Sequence, residues 1–219
     1  GEVTWEVRKA LAARKDLVPG TAQVTSFLAQ GAKHAFLQDA NSIVMPTEDL
    51  LEVLAFLRET FPTIERITSY ARAHSIVRKK SEDLKAICEA GLNRVHVGLE
   101  SGSDRVLTLV RKGVSAEQHI EAGLRAKQAG MELSEYYMPG LGGRSLWREH
   151  AIETARVLNA IDPHFIRLRT TAIVPGTVLE DMEKLGQWEP MDDEQVIQEL
   201  ELLREHLDVF FELSRDHTL

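Results

Sequence analysis

The run Arg94-Val95-His96-Val97-Gly98-Leu99 ends in Glu100-Ser101-Gly102-Ser103-Asp104. A branched apolar stretch thus delivers a carboxylate, two hydroxyls and a small residue to one place. Alternation along a strand puts Val95, Val97 and Leu99 on one face and His96, Gly98 and Glu100 on the other. If the branched face packs on helices, Glu100 looks inward at the strand end, where a carboxylate beside hydroxyls suits a ribose. Equally, Glu100 could pair with a basic neighbour while Ser103 or Asp104 caps the next helix. An earlier run, Ala35-Phe36-Leu37, leads into Gln38-Asp39-Ala40-Asn41, whose side-chain oxygens could meet an ammonium group or simply form a turn. Arg72 and His74 follow the run that contains Tyr70. Arg72 is placed to grip a carboxylate or to make a structural ion pair.

Two further loops could lie flat against a ligand through their main chain. Met138-Pro139-Gly140-Leu141-Gly142-Gly143 is glycine-rich, without the GxGxxG spacing of a dinucleotide site or the lysine of a P-loop. Ile173-Val174-Pro175-Gly176-Thr177 is either a second such wall or a plain turn. The eight histidines show no HxH or HExxH pattern, so a metal site built from protein side chains is not expected. No GxSxG elbow occurs. The single cysteine, Cys88, reads as a small apolar residue on a packed helix face.

These residues matter only if a scaffold gathers them. Apolar runs at Ala35–Leu37, Arg66–Tyr70, Arg94–Leu99, Glu132–Tyr137 and His164–Thr171 recur about every 30 residues, the length of a βα unit. Between them lie helical patterns. Leu50, Leu51, Leu54 and Leu57 form one stripe from Thr47 to Phe61. Thr47 and Ser81 are expected N-caps, Ser115 with Gln118 is an expected capping box, and Gly91 and Gly130 are expected C′ residues. Val3–Ala29 reads as leading helices interrupted at Pro19-Gly20, and Met191 to about Ser214 as one long closing helix. Such alternation requires right-handed crossovers and a parallel sheet, in an open or a barrel arrangement. Ligands of both bind at the C-terminal strand ends.

The bulk properties fit one α/β domain. A charge of −8 and a pI near 5.5 disfavour a nucleic-acid partner, and no apolar run spans a bilayer. With no signal-peptide pattern, a cytoplasmic protein is expected.

Together these loops resemble the radical S-adenosylmethionine superfamily, nearest the oxygen-independent coproporphyrinogen oxidase and Elongator catalytic-subunit branches. The likeness rests on Phe36-Leu-Gln-Asp-Ala-Asn41, Ile67-Thr-Ser-Tyr-Ala-Arg72, Val95-His-Val-Gly-Leu-Glu-Ser-Gly-Ser-Asp104, Lys112-Gly113, Tyr137-Met-Pro-Gly-Leu-Gly-Gly143 and Val174-Pro-Gly-Thr177. It implies a partial parallel (β/α)6 TIM-like barrel, N-terminally truncated, over residues 1–190, with residues 191–219 as a helix packed on it. It also implies S-adenosylmethionine as cofactor. Gln38, Asp39 and Asn41 stand where the family's Gly-Gly-Glu holds the methionyl amino group, although Gln-Asp-Ala-Asn departs from that motif. Glu100 and Ser101 match the ribose contacts, and Arg72 and Lys112 are candidates for the carboxylate. Met138 to Gly140 and Val174-Pro175 match backbone contacts around the adenine.

In the family, the thiolates of a CxxxCxxC loop hold a [4Fe–4S] cluster whose open iron chelates S-adenosylmethionine. One electron then yields a 5′-deoxyadenosyl radical. That loop is absent from this sequence. A longer parent carrying it would explain both this and the absence of the strand expected before the leading helices of Val3–Ala29. The chain by itself is then expected to be inactive, and an exposed sheet edge is expected to favour self-association. The alternatives are a barrel that binds or scaffolds without radical chemistry, or an acid–base lyase using Glu100.

Overall fold

The computed structural model describes residues 5–13, 20–38, 40–208 and 212–214. Two leading helices, α1 (Trp5–Ala12) and α2 (Thr21–Ala29), precede the first strand, β1 (His34–Leu37). The chain then alternates: α3 (Thr47–Thr60), β2 (Arg66–Ala71), α4 (Ala73–Arg78), α5 (Ser81–Glu89), β3 (Leu92–Glu100), α6 (Asp104–Leu109), α7 (Ala116–Gln128), β4 (Glu132–Tyr137), α8 (Gly143–Ile161) and β5 (Phe165–Leu168). Then come α9 (Val178–Lys184), α10 (Asp193–Glu205) and β6 (Glu212–Ser214). The strands form one six-stranded sheet in sequence order, every pair parallel, as a partial (β/α) barrel requires. Among the described residues β1 pairs only with β2, which leaves it an edge.

The expected division of faces holds. Val95, Val97 and Leu99 of β3 are buried with Leu133 of β4 and Ile166 of β5. Against them pack Leu50 and Leu54 of α3, Leu84 and Ile87 of α5, Ala122 and Ala126 of α7, and Ala151, Ala155 and Leu158 of α8. Each large side chain so buried contributes roughly 1.5–3 kcal/mol. Cys88 is half-buried against this core, and Gly91 and Gly130 take the positive φ that a helix-ending glycine permits. The capping box at Ser115 forms, with Gln118 N–H donating to Ser115 Oγ and Ser115 N–H to Gln118 Oε1.

Two local expectations are corrected. Thr47 and Ser81 are the first helical residues, not N-caps; Pro46 and Lys80 hold the extended cap positions, and neither helix has a side-chain cap. The closing helix covers only Asp193–Glu205, opened by a capping box of Asp192 and Gln195. Glu212–Ser214 instead extends the sheet beside Phe165–Arg167. A three-residue strand owes its conformation to that pairing, which local pattern cannot report.

Four titratable side chains are buried behind the sheet. His119 of α7 and His150 of α8 are fully buried, and burial pushes their pKa values down to about 3 and about 4. Glu135 shares the helix-facing side of β4 with Leu133 and Tyr137, and burial drives its carboxyl well above the ordinary range. Burial also raises Glu199 of α10. The histidines are neutral in the native state, so unfolding takes up protons below their ordinary 6.5 and stability is lost as pH falls from there. The carboxyls act oppositely: above their ordinary 4.5 only the unfolded chain ionises them, so stability is lost as pH rises through their folded values. Relative to the parent, His119→Leu is expected to gain stability by up to about 1.4 kcal/mol per pH unit on acidification below the ordinary histidine value. Glu135→Gln should gain similarly on the alkaline side. Urea unfolding across pH checks both, and variant slopes parallel to the parent's would refute the assignment.

Candidate functional site

On the inner face, at the C-terminal ends of β2, β3 and β4, lies a cavity of about 910 Å³. Its floor is aromatic. The rings of Tyr70 and His96 lie 5.8 Å apart, those of His96 and Tyr136 6.0 Å, and Phe36 of β1 stacks on His96 at 5.8 Å. Its rim is cationic, with Arg72, Arg111, Lys112 and Arg169. Arg169 is exposed and lies over the Tyr136 ring at 5.3 Å.

Glu100 is the carboxylate of this cavity. Its backbone adopts φ 64°, a left-handed conformation costing a non-glycine residue roughly 1–2 kcal/mol. The register with β4 shifts between Gly98 and Glu100, so Glu100 pairs with Tyr137 and its carbonyl accepts from Met138 N–H. Lys112 Nζ donates to Glu100 Oε1 at 2.5 Å, while Oε2 has no partner among the described residues. Gly98 makes room for this pair: a Cβ there would sit 3.1 Å from both Glu100 Oε1 and Lys112 Nζ. Pairing with a basic neighbour has therefore happened, and it leaves one carboxylate oxygen for a ligand. Ser103 caps α6, and Asp104 Oδ1 accepts from Ala116 N–H at 2.7 Å, so these two residues serve the helices.

A buried polar network fixes the rim from behind. His150 Nε2 contacts the Met138 carbonyl at 3.0 Å, and Nδ1 contacts Ser101 Oγ at 2.8 Å. A carbonyl only accepts, so Nε2 carries the proton and Nδ1 accepts from the Ser101 hydroxyl. Ser101 Oγ in turn accepts from Ser103 N–H, and Gly102 N–H donates to Thr154 Oγ1 at 2.8 Å. Glu199 Oε1 accepts from the Tyr137 hydroxyl and from Gly140 N–H. His150 Nε2 lies 3.6 Å from Glu199 Oε1, but a neutral imidazole makes this no ion pair. The loops after β3 and β4 are thus tied to α8 and α10.

Of the residues singled out from sequence, Asn41, Arg72, Glu100, Lys112 and Met138 line the cavity. Asn41 also stitches the rim: its Oδ1 accepts from Arg72 N–H and its Nδ2 donates to Ser75 Oγ. The Arg72 guanidinium makes no ion pair among the described residues. Gln38 is exposed at the end of β1 and does not line the cavity; Asp39 lies outside the described residues. Ser101 is fully buried and turned into the network. Gly140 is held by Glu199, away from the lining. Val174 and Pro175 are exposed, and Val174 O accepts from Thr177 N–H and Oγ1 in the turn that starts α9. Arg111, Tyr136 and Arg169 were not singled out. Alternation from the core-facing Leu133 would place Tyr136 on the inner face of β4; the two arginines carry no comparable signal.

Three thiolates for a cluster cannot come from this chain. Cys88 is its only cysteine, burial raises its thiol, and it packs on the helix side of the sheet. Among the described residues no group of three His, Cys, Asp or Glu could hold a metal ion, and no helix is long and apolar enough to cross a membrane.

Comparison with known proteins places this architecture. A tRNA uridine(34) acetyltransferase of Methanocaldococcus infernus is 26% identical over 118 residues, covering 53% of this chain and 22% of that protein. An uncharacterized protein of Methanocaldococcus jannaschii is 24% identical over 171 residues, covering 78% of this chain and 52% of the relative. The chain therefore spans about half of these relatives' length, or less. Among solved structures, archaeal Elp3 of Methanocaldococcus infernus with an N-terminal deletion superposes with TM-score 0.69 at 18% identity, covering 88% of this chain and 50% of that one. Coproporphyrinogen III oxidase (HemN) of Escherichia coli gives TM-score 0.63 at 15% identity, covering 80% and 40%. At such identities these two likenesses establish a shared fold. The sequence profile of the Radical SAM superfamily matches residues 23–158, more than half of the sequence, and the chain belongs to that superfamily.

Proposed function

We propose that this chain is the S-adenosylmethionine-binding core of a radical enzyme and that, as it stands, it binds the cofactor without cleaving it. The observation that carries the reading is the opening of Asn41, Arg72 and Glu100, from three different strand ends, onto one cavity. Glu100 Oε2 would accept from the ribose hydroxyls, with Lys112 holding Oε1 and orienting the carboxylate. Arg72, whose charge has no counter-ion among the described residues, would take the methionyl carboxylate. The amino group is assigned to the turn after β1, where Asn41 lies on the cavity. The main chain at Met138, locked by His150, would border the adenine. When bound, S-adenosylmethionine supplies an adenosyl group on a sulfonium that one-electron reduction can cleave. The [4Fe–4S] cluster that delivers the electron in this superfamily does not fit the residues present, because its thiolates are lacking from this chain.

The lone cysteine favours a second reading of the same site, binding without radical chemistry. Titration calorimetry of the purified chain with S-adenosylmethionine is expected to show saturable one-to-one binding, and its absence would end both readings. Incubation with iron, sulfide and dithionite without oxygen should give no 5′-deoxyadenosine; product from the chain alone would overturn its assignment as inactive.

A further inference from the structure

The protein carries a net charge of −8, yet among the described residues four cationic side chains line its cavity against one carboxylate. Lys112 and Glu100 neutralise each other. That leaves the guanidinium groups of Arg72, Arg111 and Arg169, none with an ion pair among the described residues. S-adenosylmethionine does not balance them. It brings one carboxylate, which Arg72 can take, but also an ammonium and a sulfonium, so its arrival makes the cavity more positive. Like charges gathered on a concave rim focus their field and attract an anion even though, as here, the three arginine side chains are exposed.

We propose that Arg111 and Arg169 form an anion subsite, apart from the groups assigned to S-adenosylmethionine, for a small polyanion bearing phosphate or carboxylate groups. The inference deepens the reading given under Proposed function and rests on it for the charge balance. Planar guanidinium forks match both kinds of anion with paired N–H donors. Arg169 is steadied over Tyr136, which leaves its edge for hydrogen bonding. Arg111 sits at φ 54° as the residue that ends α6, where its N–H donates to the Thr108 carbonyl and the Lys112 N–H to the Leu107 carbonyl, so a helix cap fixes its place on the rim. The cavity, about 910 Å³, is near the upper end of the roughly 300–1,000 Å³ usual for single-ligand pockets and leaves room beside a nucleoside.

The test is calorimetric titration of the full chain with inorganic pyrophosphate and, separately, with citrate, against chloride of matched ionic strength. Each titration is run with and without S-adenosylmethionine. At least one of the two anions is expected to bind saturably, and which one does separates a phosphate ligand from a carboxylate ligand. The double variant Arg111→Gln/Arg169→Gln is expected to weaken that binding by roughly tenfold or more while S-adenosylmethionine alone binds unchanged. Bound anion should also raise S-adenosylmethionine affinity, and the reverse by the same factor. Failure of both anions to bind at millimolar concentration, or equal anion binding by the double variant, overturns the proposal. Anion binding that depends on both arginines in a chain that ignores S-adenosylmethionine would sustain the subsite and sink the earlier reading, so the two failures are distinguishable. Near-ultraviolet circular dichroism of the double variant guards against a folding artefact.

Discussion

Glu100→Gln is expected to weaken S-adenosylmethionine binding by roughly ten- to a hundredfold, the loss that follows when hydrogen bonds to a charged acceptor become bonds to an amide. The ribose would still meet an oxygen, but a neutral one, and Lys112 would lose the partner that orients it. Folding should hardly change. The Glu100 and Lys112 side chains are 29% and 22% exposed, and a pair so placed contributes on the order of 1 kcal/mol or less. Lys112→Met is the companion variant. It leaves the carboxylate and removes only its tether, so the loss should be smaller and confined to affinity. Equal affinities for parent and Glu100→Gln, measured by calorimetry, would remove Glu100 from the site.

Gly102→Val should be the most damaging single change to stability. A Cβ at residue 102 would lie 2.3 Å from the Glu153 carbonyl oxygen and 2.5 Å from Thr154 Cα, both backbone atoms of α8. Neither can swing aside as a side-chain tip could. The loop would have to lift, breaking the Gly102–Thr154 and Ser101–His150 hydrogen bonds inside a sealed space. Overpacking plus unsatisfied buried groups sum to roughly 3–5 kcal/mol, or a melting temperature lower by about 10 °C for a domain of this size. Gly113→Ala is the control: its φ is +77° but nothing lies within 4 Å of the added carbon, so about 1 kcal/mol of backbone strain is the whole cost. Thermal melts that rank the two variants equally would contradict the close-approach argument. The serine–glycine–serine string after Glu100 thus has two jobs: Gly102 lets the loop touch α8, and Ser101 and Ser103 anchor it there.

The barrel strands were legible because local pattern marks them: a branched face on β3, a leucine stripe on α3, and a glycine after each of α5 and α7. Where the determinant was contact between distant segments, the reading failed. The pairing of Glu212–Ser214 with β5 lies nearly 50 residues away in sequence, and the helical period of Met191–Leu207 was extended through it. Within the site, alternation correctly sent His96, Gly98 and Glu100 inward. It could not show that the Ser101 hydroxyl is used by His150, or that Val174-Pro175 belongs to the turn before α9. Arg111 and Arg169 look in sequence like ordinary solvated arginines; only the folded chain shows both on the cavity rim.

One cavity must gather the whole adenosyl ligand if Asn41, Arg72 and Glu100 act together. A crystal structure of the chain with S-adenosylhomocysteine tests this most directly. The expected result is density in the cavity above Tyr70, His96 and Tyr136, with the ribose hydroxyls within hydrogen-bonding distance of Glu100 and the carboxylate against Arg72. Ligand bound elsewhere on the molecule, or an empty cavity at saturating ligand with Glu100 still closed onto Lys112, would contradict it.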